Sequence, residues 1–183
     1  MATNSANVTA GKPMIGGAVH VAPAGTTLPT SATADLDNAF VDVGYISADG
    51  LKNDLSRTSN AIRAWGGDEV LNIQNEKNDN WTFTMIEAKN INVLKQVFGD
   101  DNVTVTNGET HIAVNSKELT KHSWVFDMLL SDGSAKRCVI PYGKITHVAE
   151  ISYTDTEAVG YAVTLNTSPD STGNTHHEYI TSN

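Results

Sequence analysis

Large apolar residues alternate with polar ones in several short stretches of the chain, which is the pattern of a β-strand with one buried face. The two clearest stretches, 81–85 and 124–130, place Trp and Phe side chains on one side. Two more, 145–151 and 159–165, follow the same pattern. The dipeptide Asn107-Gly108 lies between two further short strands and accepts the positive φ of a tight turn. These features predict antiparallel hairpins in a sandwich or barrel.

One segment has helical spacing instead. Asn90 or a neighbour can cap its first turn, and Gly99 stands where a glycine ends many helices. Between them, apolar residues recur at three- and four-residue intervals at Ile91, Leu94, Val97 and Phe98. The fold is therefore predicted to be mainly β, a two-sheet antiparallel sandwich or barrel with one α-helix.

The ends of the chain are rich in small and polar residues. Residues 1–13 are predicted to form a flexible N-terminal arm, and residues 169–183 a C-terminal arm that is either a strand extension or mobile. The domain itself is expected over residues 14–168. Within it, residues 22–38 hold prolines and many Thr and Ser residues, and they are predicted to form a long loop.

A second irregular segment follows the alternating run Val41, Val43 and Tyr45, which predicts a strand that turns back at Asp49-Gly50. Residues 52–60 are polar apart from Leu55 and have no periodicity. We therefore predict that they leave the sheet as a long arm, part of a loop over 51–67. An arm of this kind has too few apolar residues to pack on its own domain, so it needs a partner.

The composition limits the class of partner. With 183 residues, one domain is expected, and the formal charge of −9 with a pI near 4.9 disfavours tight binding to phosphates. An acidic surface repels DNA that passes close to it. The start of the chain lacks the features of a secretory leader, and no apolar run reaches the ~20 residues of a membrane-spanning helix. We expect a cytoplasmic protein with no membrane contact.

Candidate chemistry is weak throughout. The sequence has no nucleophile elbow, phosphate-binding loop, zinc-protease motif or paired Cys-x-x-Cys, and the single Cys138 is predicted to be a buried thiol. His176-His177 would point to opposite faces of a strand, so the pair is not expected to chelate a metal. Asp35 and Asp37 are expected to be solvated loop acids. We predict no catalytic site, no cofactor and no metal.

Several segments, in their order and spacing, resemble the major tail tube protein of long non-contractile-tailed bacteriophages. They are residues 44–50, 64–67, 81–86, 90–99, 137–141, 145–151 and 160–165. The likeness covers about residues 14–168. It implies two packed β-sheets and a helix, with six subunits closing into rings whose inner wall is a continuous barrel.

The same resemblance implies that the rings stack into a hollow tube around the tape measure protein and later the DNA. Tail tip and tail terminator proteins are then further partners, and the protein belongs to the virion tail after assembly in the host cytoplasm. Ring-stacking candidates are Leu51, Lys52, Asn53, Asp54, Arg57, Arg63 and Trp65. Asp127 and Glu150 are out of phase with apolar neighbours, so both should avoid the core and are candidates for the tube lumen.

A secreted or cell-surface β-sandwich that binds carbohydrate remains the alternative. Its binding platform would be the aromatic residues of the strands, Trp81, Phe83, Trp124 and Phe126. A core position is favoured for these rings because their neighbours are Thr and Asp, without the basic residues of stacking platforms.

Overall fold

The computed structural model describes residues 3–182 of the chain. One α-helix, α1, spans Ile91–Phe98, and short 3₁₀ turns lie at Ser5–Asn7 and Asp100–Asn102. The strands are β1 (Gly11–Pro13), β2 (Val19–Pro23), β3 (Val41–Asp42), β4 (Lys52–Arg63), β5 (Glu69–Met85), β6 (Val103–Thr106), β7 (Glu109–Ile112), β8 (His122–Leu130), β9 (Ala135–Val148), β10 (Tyr161–Ser168) and β11 (His177–Ile180). The prediction of a mainly antiparallel β-fold with one helix is confirmed.

Nine strands belong to one antiparallel sheet in the order β3-β2-β8-β9-β10-β5-β4, with β1 added to β8 and β11 added to β9. Strands β6 and β7 form a separate hairpin, and Asn107 and Gly108 take positive φ at its turn, as predicted. The long strand β9 is shared, because its first half pairs with β8 and β11 and its second half pairs with β10.

A short crossing segment, residues 41–47, joins the two sides of the sheet. Val43 donates its N–H to the carbonyl oxygen of Val19 on β2 at 3.1 Å. A few residues later, Ser47 donates to Thr84 O on β5 at 2.9 Å, and Ile86 donates to Tyr45 O at 3.0 Å. The sheet therefore curls into a closed barrel, in which backbone groups that would otherwise lie at an open edge are paired.

The barrel encloses an aromatic core. Trp81 and Phe83 of β5 face Trp124 and Phe126 of β8, with edge-on ring contacts at centroid distances of 5.0–5.9 Å. All four side chains are buried. Edge-on packing of this kind stabilises a core beyond the burial of its apolar area. The expected core position of the rings is confirmed, and they offer no exposed platform for carbohydrate.

Helix α1 packs against the core. The Asn90 side chain accepts a hydrogen bond from the Asn92 N–H at 2.9 Å, and Gly99, at φ 101°, donates its N–H to Lys95 O. The buried face of the helix carries Val93, Leu94 and Val97, which join the core cluster. The predicted limits of the helix and both of its caps are confirmed.

The predicted alternation over 41–45 is wrong. Val43 is fully buried, whereas Val41 and Tyr45 are exposed, because the chain turns at Gly44 with φ 78° after a strand of only two residues. A side chain at Gly44 would place its Cβ 2.0 Å from the Glu87 carboxyl group, which accepts the Tyr45 N–H at 3.0 Å. Glycine is required here by both the positive φ and this close approach.

The alternation predicted over 145–151 also fails part-way. Ile145 is buried, but His147 is exposed, because the register of β9 against β10 shifts between the partners of Thr164 and Leu165. A bulge of this kind inserts one residue and reverses the face of those that follow. The strand then ends at Val148.

Both predicted arms contain strands. Gly11–Pro13 of the N-terminal arm pairs with residues 128–130 of β8, and His177–Ile180 of the C-terminal arm pairs with residues 136–139 of β9. Of the two alternatives for the C-terminal arm, the structure shows the strand. Residues 1, 2 and 183 of the predicted arms lie outside the described residues.

Candidate assembly surface

The most prominent feature outside the barrel is the hairpin of β4 and β5, which pair from Lys52 opposite Thr82 to Arg63 opposite Glu69. Only residues 80–85 of β5 also pair with β10. The rest of the hairpin therefore extends beyond the barrel as a two-stranded ribbon. The predicted irregular arm over 52–60 is wrong in conformation, because this segment is a strand.

Strand β4 lacks apolar alternation because nearly all of its side chains, on both faces, are exposed. The same holds for residues 69–78 of β5. An isolated two-stranded hairpin is only marginally stable in water. The ribbon is thus a segment whose order benefits from contact with another molecule.

Apolar side chains concentrate at the far end of this ribbon. Ile62 lies directly opposite Leu71, and Ile73 is the next residue on the same face of β5, opposite Asn60. These three side chains are 44–51% exposed, Val70 is 62% exposed, and Trp65 in the turn is fully exposed. We call Ile62, Trp65, Val70, Leu71 and Ile73 the apolar tip. Ile62, Leu71 and Ile73 share one face of the ribbon, whereas Val70 lies on the opposite face. Exposed apolar side chains grouped in this way are typical of a protein interaction site.

The seven ring-stacking candidates lie along this one hairpin but fall into two groups. Leu51 packs against the core, and Lys52, Asn53 and Asp54 lie at the base of the hairpin. Arg63 and Trp65 are at the tip, where Arg63 donates to Gly67 O at 2.9 Å and lies 3.7 Å from Glu69. Arg57 is between the groups. Lys52 and Arg63 are eleven positions apart, which is roughly 36 Å along a strand.

Sequence reasoning missed Ile62, Val70, Leu71 and Ile73. The available signal was their placement on either side of the Gly66-Gly67 turn, which brings apolar residues of two strands together. Without the pairing, neither strand shows an apolar face of its own.

At the base of the hairpin, a buried carboxylate joins three parts of the chain. Asn53 of β4 donates to Asp79 Oδ1 at 2.7 Å, while Thr175 and His176 approach Asp79 Oδ2 at 2.6 and 2.5 Å. Burial alone would raise the pKa of Asp79, but the hydrogen bonds from His176, Thr175 and Asn53 outweigh it and lower the pKa to about 2. The C-terminal arm thereby fixes the hairpin to the barrel.

We expect Asp79→Asn to lower the free energy of unfolding at neutral pH by about 1–3 kcal/mol, as for loss of hydrogen bonds to a buried charge. A carboxyl whose pKa is lowered on folding stabilises the native state above its unfolded pKa and loses that effect as pH falls through its folded pKa. The difference between wild type and variant should therefore be complete above pH 3.8 and shrink towards pH 2. Urea unfolding at several pH values measures it, and a difference that does not vary with pH would contradict the assignment.

The lumen candidate Asp127 avoids the aromatic core, as its phase in β8 predicts, but its side chain is not exposed. Asp127 is 4% exposed, and its carboxylate accepts from Arg137 Nε at 2.6 Å and Arg137 Nη2 at 2.9 Å. Its side chain does point away from the barrel interior, but the loop after β2 covers that face. Arg137 Nη1 donates to the backbone oxygens of Ala34 at 2.6 Å and Ser31 at 3.2 Å. The second candidate, Glu150, is exposed just beyond β9.

The remaining candidate groups have structural partners. His176 contacts Asp79, and His177 lies 3.2 Å from Asp170. Cys138 is buried, as predicted, and burial raises the pKa of its thiol to about 12. Across residues 3–182, no group of three or more His, Cys, Asp or Glu side chains has the geometry to hold a metal ion. Nor does that part of the chain contain a helix long and apolar enough to cross a membrane.

The family of phage tail tube proteins matches residues 1–183, the whole length of the sequence. The chain belongs to the phage tail tube protein family. Among solved structures, it is similar to the cap of the anti-feeding prophage, a tube-terminating cap determined by cryo-EM, at 11% identity and a TM-score of 0.49. The match covers 99% of this chain and 100% of that one. No curated protein matches the sequence.

The tail tube protein is a structural component of the bacteriophage tail and hence of the virion. Membership of this family bears on the hairpin, because a tail tube is built by contacts between proteins. The features of this tail tube protein that suit such contacts are an extended ribbon, an apolar tip and a closed barrel that keeps the ribbon in place.

Proposed function

We propose that six copies of this tail tube protein close into a ring, and that rings stack into the hollow tube through which DNA passes during ejection. The observation that carries the proposal is the β4–β5 hairpin, which exposes an apolar tip at its far end. A two-stranded ribbon of this kind is only marginally stable without a partner. Burying a side chain of this size contributes about 1.5–3 kcal/mol. Repetition of the contact in every subunit multiplies that contribution along the tube.

The partner of the hairpin in this proposal is a second copy of the chain in the neighbouring ring. In a ring with closed cyclic symmetry, every subunit makes the same contact. Stacking of further rings repeats that contact along the tube. The tape measure protein within the tube and the tail tip and tail terminator proteins at its ends are the further partners. Assembly takes place in the host cytoplasm, and the protein has no catalytic role.

The charge of the chain fits a conduit for DNA. With a formal charge of −9 per chain, six copies carry six times −9, or −54. At a Debye length of roughly 8 Å, fixed charges act only on DNA that comes close to the wall. A ring of this charge does not retain phosphates, which requires clustered Lys and Arg.

Negative-stain electron microscopy of the purified protein, at rising concentration and with tail-tip complexes added, tests the proposal. We expect hollow tubes with six-fold symmetry in end-on views. Nucleation should be slow, since ordering flexible segments costs about 1–2 kcal/mol per residue. A protein that stays monomeric at every concentration, with and without tip complexes, would contradict the proposal.

A further inference from the structure

The two faces of the β4–β5 ribbon differ in chemistry. Side chains directly opposite each other share a face, and the faces alternate along each strand. One face carries Ile62, Leu71 and Ile73 of the apolar tip. The other face carries Arg57 and Lys77, which lie directly opposite each other and are both exposed. We call Arg57 and Lys77 the cationic pair.

The cationic pair has no carboxylate partner within the described residues 3–182. Lys77 Nζ lies 3.4 Å from the neutral Thr175 hydroxyl, and neither cation forms a salt bridge in that part of the chain. Neighbouring carboxylates are engaged or point away: Asp79 is buried among its hydrogen-bond donors, Glu69 pairs with the arginine opposite it, and Glu76 is on the other face. Like charges directly opposite each other destabilise a pair of strands. A carboxylate from another molecule would offset this repulsion.

The segment between β9 and β10, residues 149–160, is acidic, and we call it the acidic segment. It carries Glu150, Asp155 and Glu157 and contains no Lys, Arg or His. All three carboxylates are exposed, and none of them belongs to a salt bridge with the residues that the structure describes. Tyr153, between them, is 74% exposed and offers a ring on which a guanidinium can stack. The acidic segment thus has the charge and the aromatic ring that suit a cationic partner.

The cationic pair and the acidic segment lie at opposite ends of the subunit. Tyr161, the first residue after the acidic segment, is opposite Met85 at the end of β5. Lys77 lies on the same strand, where the separation from residue 85 to residue 77 is roughly 27 Å. The two groups therefore do not meet within one chain. A contact that repeats in one direction uses complementary surfaces at opposite ends of each copy.

We infer that the acidic segment of one subunit binds the cationic pair of a subunit in the neighbouring ring. The inference rests on the proposed function, since it requires stacked rings, and it names the surface that receives the ribbon. Opposite charges set the direction of stacking, because two ribbons that met each other would place cations against cations. Glu150, a candidate for the lumen, takes this place between rings instead.

Charge reversal with rescue tests the inference. Arg57→Glu with Lys77→Glu reverses the cationic pair, and Asp155→Lys with Glu157→Lys reverses part of the acidic segment. The combined variant carries all four substitutions, so the four charges lost on the ribbon are regained on the acidic segment and the formal charge stays at −9. Opposite charges then face each other again, with their positions exchanged.

Electron microscopy and sedimentation measure assembly at physiological salt, and urea unfolding checks that each subunit is folded. Either reversal alone should lower the amount of tube by more than about tenfold, because like charges then face each other. The combined variant should recover tubes. The matched control, Lys12→Glu with Lys121→Glu, reverses two exposed lysines elsewhere with the same change in formal charge as the ribbon reversal, and it should assemble as wild type does. Wild-type assembly should slow as salt rises, because salt screens exposed charges.

Cross-linking gives a second measurement that needs no charge reversal. Tubes assembled from equal amounts of Lys77→Cys and Asp155→Cys chains should yield a covalent dimer with a short bismaleimide, whereas free subunits and tubes of either variant alone should not. The native Cys138 reacts little, because it is buried and burial raises the pKa of its thiol to about 12.

Three results would overturn the inference. They are wild-type assembly of the reversed variants, a combined variant that assembles no better than either reversal, and the absence of the cross-linked dimer from mixed tubes. Loss of tubes in the matched control would trace the effect to net charge and overturn it too. Failure of the wild type to form tubes would count against the proposed function instead.

Discussion

A variant in which residues 58–76 are replaced by Asn-Gly is expected to remain folded and to lose tube formation entirely. Arg57 and Lys77 are directly opposite each other, so a two-residue turn of the type that Asn-Gly favours can join them. The replacement removes the whole apolar tip and leaves the barrel strands, the aromatic core and the Asp79 network in place. Electron microscopy and sedimentation measure assembly, and urea unfolding measures the stability of the subunit.

Two point variants test whether assembly depends on the apolar side chains of the tip or only on the presence of the ribbon. Leu71→Ser keeps the length of the hairpin and removes one side chain of the apolar tip, which should cost each contact about 1.5–3 kcal/mol if that side chain becomes fully buried. Thr58→Ser, on the same ribbon, is the matched control and should assemble as wild type does. Wild-type tubes from the shortened chain would show that the hairpin does not hold the rings together.

The parts of the fold that sequence predicts well are those with one buried face. The strands of Trp81 and Trp124 lie with one side on the core, so burial imposes a period of two on the sequence. Helix α1 also has one face on the core, so its apolar residues recur at helical spacing. A short turn with its own local requirement, such as Asn107-Gly108, is equally readable.

The strands of the hairpin cannot be predicted from alternation in the sequence, because the hairpin has no buried face within the subunit. Residues 57–60 and 69–78 are exposed on both sides, so no period separates them from an irregular loop. Their strand conformation comes from pairing between distant positions, from Lys52 with Thr82 to Arg63 with Glu69. The role of the C-terminal strand likewise depends on residues that are distant in the sequence, since Asp79 and His176 meet only after the fold has formed.

Asp127 shows a different limit. The alternation in β8 correctly predicts that its side chain points away from the barrel interior. Its environment, however, depends on a loop some hundred positions earlier in the chain, whose carbonyl oxygens accept hydrogen bonds from Arg137. An outward position in a strand is exposed only where nothing covers the sheet. Alternation predicts the face of a residue, whereas burial of that face is a tertiary property.

Asp127→Ala is expected to lower the free energy of unfolding by about 3–5 kcal/mol, because it leaves a buried guanidinium without its counterion. Arg137 is 7% exposed, and the neutral backbone oxygens of Ser31 and Ala34 would be its remaining partners. Urea unfolding measures the loss. The matched control is Glu150→Ala, which removes an exposed carboxylate and should change stability by less than about 0.5 kcal/mol.

A second substitution shows whether the loss comes from the unpaired charge. Adding Arg137→Met to Asp127→Ala removes the buried cation, and similar replacements of buried ion pairs by apolar residues are often neutral or stabilising. Recovery here should be partial, since Ser31 O and Ala34 O lose their donor. If Asp127→Ala lowers the free energy of unfolding no more than Glu150→Ala does, the Asp127 carboxylate is not held in a buried ion pair. Asp127 would then again be a candidate for the lumen. A large loss with partial recovery makes Asp127 part of the framework that holds the loop on the barrel.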